Sequence, residues 1–257
     1  MTTSQRRRRV ALERVQRPRA LAERRVDRSK PLSAASLLQL MRLASPSLPV
    51  GGFSYSEGLE SAVDASLVND EATAQRWLID QLRLALARAD LPIVARALAA
   101  WRRSDIGHVE SLNRWFATTR ETGELLRQAE QMGRSLAIWL RHRGEGDAQL
   151  LRLEAFEPAP TWPVAFALAA ADSGANARDV LVTFAAGWAE NMAQAAMKAV
   201  PLGQAAAQRI LAALALEIPR AVDAGLRLAS AEMQAFTPML AILSAQHEEQ
   251  YSRLFRS

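Results

Sequence analysis

The chain contains no cysteine. Disulfides, thiolate zinc sites and cysteine nucleophiles are therefore all excluded, and the composition suits a reducing, cytoplasmic location. Histidine is scarce, with three residues in 257. His108 and His142 fall on separate predicted helices and read as solvent-facing. His247 precedes Glu248, but the pair does not extend to HExxH because residue 251 is Tyr. Its expected role is to sit at the negative, C-terminal end of a helix. Neither GxxxxGK[ST] nor GxGxxG is present, and no GxSxG nucleophile turn occurs. The chain therefore reads as a binding protein rather than an enzyme, with no cofactor expected. Aromatic residues make up only 6% of the chain. No uninterrupted apolar run approaches the roughly 18 residues that a membrane-spanning helix needs. Strand signals are also missing: there is no alternating Val/Ile/Thr-rich run and no Asn-Gly or Asp-Gly hairpin turn.

The basic character is local. Residues 1–30 hold ten arginines and one lysine against Glu13, Glu23 and Asp27, a charge of +8. The whole chain carries +5, so the remainder carries −3. A block of this kind reads as a disordered, solvated extension, and nucleic-acid binding by the body is not expected.

What remains is rich in alanine and leucine, which favour helix. Amphipathic spacing predicts helices over 33–44, from Asn69 or Asp70 to Arg88, from Asp90 to Arg103, from Asp105 to Phe116 and from Glu121 to Arg141. Ser33 or Ser36 is placed to cap the first. Residues 142–160 read as a Gly-, Glu- and Pro-rich loop inside one domain. Further helices are expected from Trp162, over Arg178–Val200, and from about Gly203 to Ala229, the last kinked or broken at Pro219. Small residues through 185–199 suit close helix packing, either within the chain or across a dimer face. The prediction is an all-α, single-domain bundle of about ten helices spanning 31–257.

Two stretches do not fit a plain bundle. Pro46 and Pro49 stop a helix, Gly51 and Gly52 permit a tight turn, and Ser54 and Glu57 have capping-box spacing for a new helix. Glu60 and Asp64 follow, four residues apart, and read as a solvated acidic face. At the end of the chain, Thr237 and Pro238 open a helix whose Met239, Leu240, Ile242 and Leu243 form an apolar face. Beyond it, Tyr251, Leu254 and Phe255 alternate with Arg253 and Arg256. Aromatic rings mixed with arginines are the composition of interface hot spots, although such residues can also close a domain's own core.

These stretches carry a resemblance. The block LPVGGFSYSEGLE, Leu48–Glu60, and the block from Pro201 to Leu211, PLGQAAAQRIL, are near-verbatim motifs of the urease accessory protein UreF family. Gln131, Gly133, Ser135 and Leu136, the Trp162 helix and the tail around Ser244–Glu248 are also similar to it. The likeness runs over about 34–257 and leaves the Arg-rich extension without a counterpart. It implies an all-α homodimer that binds UreD (UreH), recruits the GTPase UreG and helps deliver nickel to apo-urease. By the same resemblance, Tyr55, Lys198 and Arg253 are expected to engage the GTPase. Glu60 is expected beside the nickel passage. Tyr251, Leu254, Phe255 and Arg256 belong to a tail that docks on, or orders beside, UreD. A rival implication is a GTPase-activating role with Arg253 or Lys198 as a charge-stabilising finger. A reading blind to the family would make the chain a helical regulator that binds nucleic acid through residues 1–30.

Overall fold

The computed structural model describes residues 31–142, 144 and 147–257, so the predicted disordered extension, 1–30, lies outside the described residues. Leu32–Ser257 forms one compact unit. Its described residues contain eleven α-helices and no strand. Most helices begin where a short polar side chain can accept a free N–H at the first turn. Ser33 opens α1 (Ala34–Ala44) and Gly58 precedes the short α2 (Leu59–Asp64). Asp70 and Thr73 form a reciprocal cap on α3 (Glu71–Gln81). The helix then widens into a π turn at Leu82–Leu86 before α4 (Asp90–Arg102). Asp105 caps α5 (Ile106–Thr119), and Thr122 caps α6 (Gly123–Arg141).

The stretch predicted as a loop is only partly one. Asp147 caps a two-turn helix, α7 (Ala148–Glu154), whose Leu150 and Leu153 are buried. Its brevity hid it, since seven residues give too little periodicity to register. The remainder is clasped by Asn113, whose amide donates to the carbonyls of Pro158 and Ala159 and accepts from the Thr161 amide. Next come α8 (Trp162–Ala171), α9 (Ala177–Ala199) and α10 (Gln204–Arg227). Pro219 neither ends nor divides α10, which is one continuous helix held by buried Ile218, Ala221 and Val222. The chain closes with α11 (Pro238–Glu248). Its predicted single apolar face is in fact two: Leu240 and Leu243 are buried, whereas Met239 and Ile242 are exposed.

Helix α8 is the centre of the core. Pro163 to Ala171 are all buried, against α4 on one side and α6 on the other. Trp162, Phe166 and Phe184 pack with ring centroids 5.0–6.0 Å apart, two of the three pairs edge-on. The small residues of α9 serve internal packing: Ala185, Ala189, Ala193 and Ala196 are buried, and α9 lies on α1, α4 and α10. Gly187 passes so near α1 that a Cβ there would sit 3.2 Å from the Ala44 backbone.

Candidate functional site

The Gly-rich loop, α2, the first turns of α6 and the end of α9 meet at one place, and the chain's last residues lie across it. Gly51 has φ 76°, a left-handed conformation that turns the chain after Val50. A side chain at Gly52 would collide with Asn191 of α9, with a Cβ 2.5 Å from its amide nitrogen. These glycines let the loop lie flat on α9. The predicted capping box of Ser54 and Glu57 does not form. Glu57 instead has φ 51° and turns its carboxylate inward, where it accepts from the Trp188 indole at 2.8 Å and the Gln128 amide at 2.7 Å.

Helix α11 ends at Glu248 beside the start of α6. The Glu248 carboxylate accepts the Glu124 amide at 2.8 Å, which places an anion at a helix N-terminus. The chain then reverses, and 249–257 runs back over α2 and the loop. Glu60 holds it there, its oxygens accepting the Leu254 amide at 2.7 Å and the Phe255 amide at 2.9 Å. The Arg256 amide donates to the Ser54 carbonyl at 2.9 Å. The main-chain oxygen of Ser257 accepts from both the amide and the hydroxyl of Ser56, each at 2.6 Å. The Ser257 hydroxyl donates to Gln128 at 2.7 Å.

Beneath this strap is a buried ionic cluster. His247 has no solvent exposure, with Nδ1 2.7 Å from Glu124 and Nε2 3.2 Å from Glu60. Each ring nitrogen faces a carboxylate oxygen. Arg253 pairs with the second oxygen of Glu124. His247 does lie in the last turn of its helix, as expected, but two carboxylates hold it there. Glu60 is likewise not part of a solvated acidic face: its side chain is 12% exposed and both oxygens are engaged.

The residues singled out from sequence sort clearly. Phe255 is buried, and its ring and that of Phe53 each lie 5.7 Å from the Lys198 ammonium. Tyr55 is buried, and burial pushes its phenol pKa up, while a hydrogen bond and the charge of Arg256 pull the other way. Glu60, Tyr55, Lys198, Arg253, Phe255 and Arg256 therefore converge on one surface. Tyr251 and Leu254 share the strap but face solvent. Sequence reasoning missed Glu124, Gln128 and Ser257, and it read Glu57 as a local cap. The two acids and the glutamine carry ordinary helix-surface residue types, and nothing local marks the distant partners they meet. Among the described residues, no three His, Asp or Glu side chains are grouped to hold a metal ion. No described helix is long and apolar enough to cross a membrane.

The UreF family model matches residues 68–215. This chain belongs to the UreF family. It is 64% identical over 228 residues to the urease accessory protein UreF of Methylibium petroleiphilum, covering 88% of this chain and 96% of that one. The protein of the same name from Paracidovorax citrulli is 63% identical over 230 residues, covering 88% of this chain and 91% of that one. That of a Polaromonas species is 59% identical over 226 residues, covering 88% and 97%. The chain is thus a urease accessory protein, a helper rather than a catalyst.

Proposed function

We propose that this protein is a homodimeric cytoplasmic scaffold that joins UreD (UreH) to the GTPase UreG while nickel is delivered to apo-urease. The observation that carries this reading is the composite face made when the tail lies on the Gly-rich loop. It combines the exposed Lys198, Arg256, Phe53, Leu254 and Tyr251 around a buried Phe255–Tyr55 floor. Large rings with fixed cations are the composition of protein–protein hot spots, and the positive groups suit an acidic partner. The outward Phe236, Met239 and Ile242 add an apolar patch on and just before α11. Glu60 supports the nickel route only indirectly. Its oxygens are committed to the strap, so its effect on a passing dication would be exerted through charge while the strap is docked.

The rival finger mechanism is less well supported through Arg253 than through the exposed Lys198. Arg253 is tied to Glu124, and a finger must be free to reach a partner's phosphate. Capture of the cognate UreD, and then UreG, by full-length protein and by a version ending at His247 tests the scaffold. Full-length protein is expected to capture both, and the shortened one neither. Full-length protein that folds yet captures neither partner overturns the reading.

A further inference from the structure

Behind the loop is a cavity of about 80 Å³ whose wall includes Glu57, Asp90, Arg120 and Glu121. Three carboxylates and one guanidinium thus line the same wall. Arg120 lies 3.8 Å from Asp90 and is stacked 4.0 Å from the Phe116 ring centroid. The wall is incompletely paired within the chain: Arg120 Nε, Glu121 Oε2 and Asn191 Oδ1 have no hydrogen-bond partner among the described residues.

This cavity is connected to both ends of the C-terminal segment. Glu121 Oε1 accepts the Thr237 amide at 3.2 Å, where α11 begins. Glu57 Oε1 accepts from Gln128 Nε2 at 2.7 Å, and Gln128 Oε1 accepts the Ser257 hydroxyl at 2.7 Å. The orientation of one amide therefore transmits the state of Glu57 to the last residue. We propose that Glu57 is a positioning residue that couples the acidic cavity to tail docking: ionised, it fixes the Gln128 amide to receive Ser257, and neutralised, it weakens that hold.

The chemistry follows from donor counting. Both Glu57 oxygens face N–H donors, one from Gln128 and one from Trp188, so the ionised carboxylate satisfies both. A proton on either oxygen opposes one of those donors, and the local escape is rotation of the Gln128 amide; its NH2 then faces Ser257, whose hydroxyl must turn from donor to acceptor without a carboxylate polarising the amide. Burial acts against the ionised form and raises the Glu57 pKa, with Glu121 adding to it and Arg120 opposing. Asp90, whose own pKa is raised by burial and by Glu57, faces it from α4. On the strap side the charged groups are Glu60, Glu124, His247, Arg253, Arg256 and Lys198, and none of them contacts Glu57. The tail is thus expected to loosen as pH falls. This inference needs only the docked tail, whichever partner meets it.

Hydrogen exchange on the intact protein tests it, because the amides of Leu254, Phe255 and Arg256 all donate in the docked state. Protection of 249–257 would be followed between about pH 5.5 and 8.5 relative to the free peptide, with α9 as the internal reference. Wild type is expected to lose tail protection as pH falls. Glu57→Gln is expected to lower it about two- to tenfold at the alkaline end, the weight of one neutral hydrogen bond between Ser257 and Gln128, and to abolish the pH dependence. Glu121→Gln keeps a carbonyl for Thr237 but removes a neighbouring charge, so it should move the midpoint to lower pH. Tail protection in a folded Glu57→Gln equal to wild type overturns the proposal. So does a pH profile that persists in it, which would place the titrating group elsewhere. Should Glu57→Gln not fold, an unmoved midpoint in Glu121→Gln overturns the proposal instead.

Discussion

Helix α8 and the strap 249–257 are nearly equal in length and are held to the molecule by opposite means. In α8 nine of ten residues are buried, nearly all apolar, and its attachment is packing on every side. In the strap only Phe255 and Ser257 are buried, and its attachment is a row of hydrogen bonds to Glu60, Asp64, Ser54, Ser56 and Gln128, with the Arg253–Glu124 ion pair. Burying one phenylalanine gives about 1.5–3 kcal/mol, whereas fixing each backbone residue costs about 1–2 kcal/mol. The strap therefore depends on the charged acceptors beneath it. Such a segment can be ordered or released by small changes, which suits a partner-facing element; α8 cannot be.

The strongest way to sharpen this contrast is to damage α8 alone. Phe166 is fully buried, with ring centroids 5.4 Å from Trp162 and 5.0 Å from Phe184. Phe166→Ala is expected to lower global stability by about 3–5 kcal/mol, measured by urea unfolding, through lost transfer energy and the cavity left behind. Exchange of the strap amides below the global transition should change little, because they open locally.

Asp90 gives the next largest effect, as an ionisable side chain on the cavity wall. Burial pushes its pKa up to about 7 from 3.8, Arg120 opposing and Glu57 and Glu121 adding to the shift. The folded-state pKa lies above the unfolded one. The stability it contributes is therefore complete below about pH 4 and is lost as pH rises through 7. A shift of about three units corresponds to ~4 kcal/mol. Asp90→Asn should gain roughly that much relative to wild type between pH 4 and 8, seen as a flatter dependence of Tm on pH.

The same contrast explains what was legible in the sequence. Helix positions followed from local causes: Ser33 caps the helix it was placed to cap, and Asp70 and Asp105 cap the helices predicted to begin at them. The strap's composition was visible, and the family motifs brought Tyr55, Lys198 and Glu60 into view. What they touch was not. Glu60 meets Leu254 across 194 residues, and Glu124 meets His247 across 123. No periodicity encodes such a pairing, and a buried acid has the same letter as a solvated one. Glu57 was misread for this reason. Its spacing from Ser54 suited a local cap, but Trp188 and Gln128 offered donors that the loop could not.

The smallest global effect, and the most discriminating local one, is expected at Glu60. Glu60→Gln keeps the shape but replaces one acceptor oxygen with an N–H donor, which then faces either the Leu254 or the Phe255 amide. His247 retains Glu124 at 2.7 Å, so the cluster beneath is weakened rather than broken. Urea unfolding should shift by no more than about 1 kcal/mol, because the strap adds little to the core. Exchange of the 254 and 255 amides should accelerate at least about tenfold, as expected on losing a hydrogen bond to a charged acceptor. If the variant instead lost several kcal/mol of global stability, the strap would be part of the cooperative core like α8. The contrast between a packed interior and a conditionally docked tail would then fail.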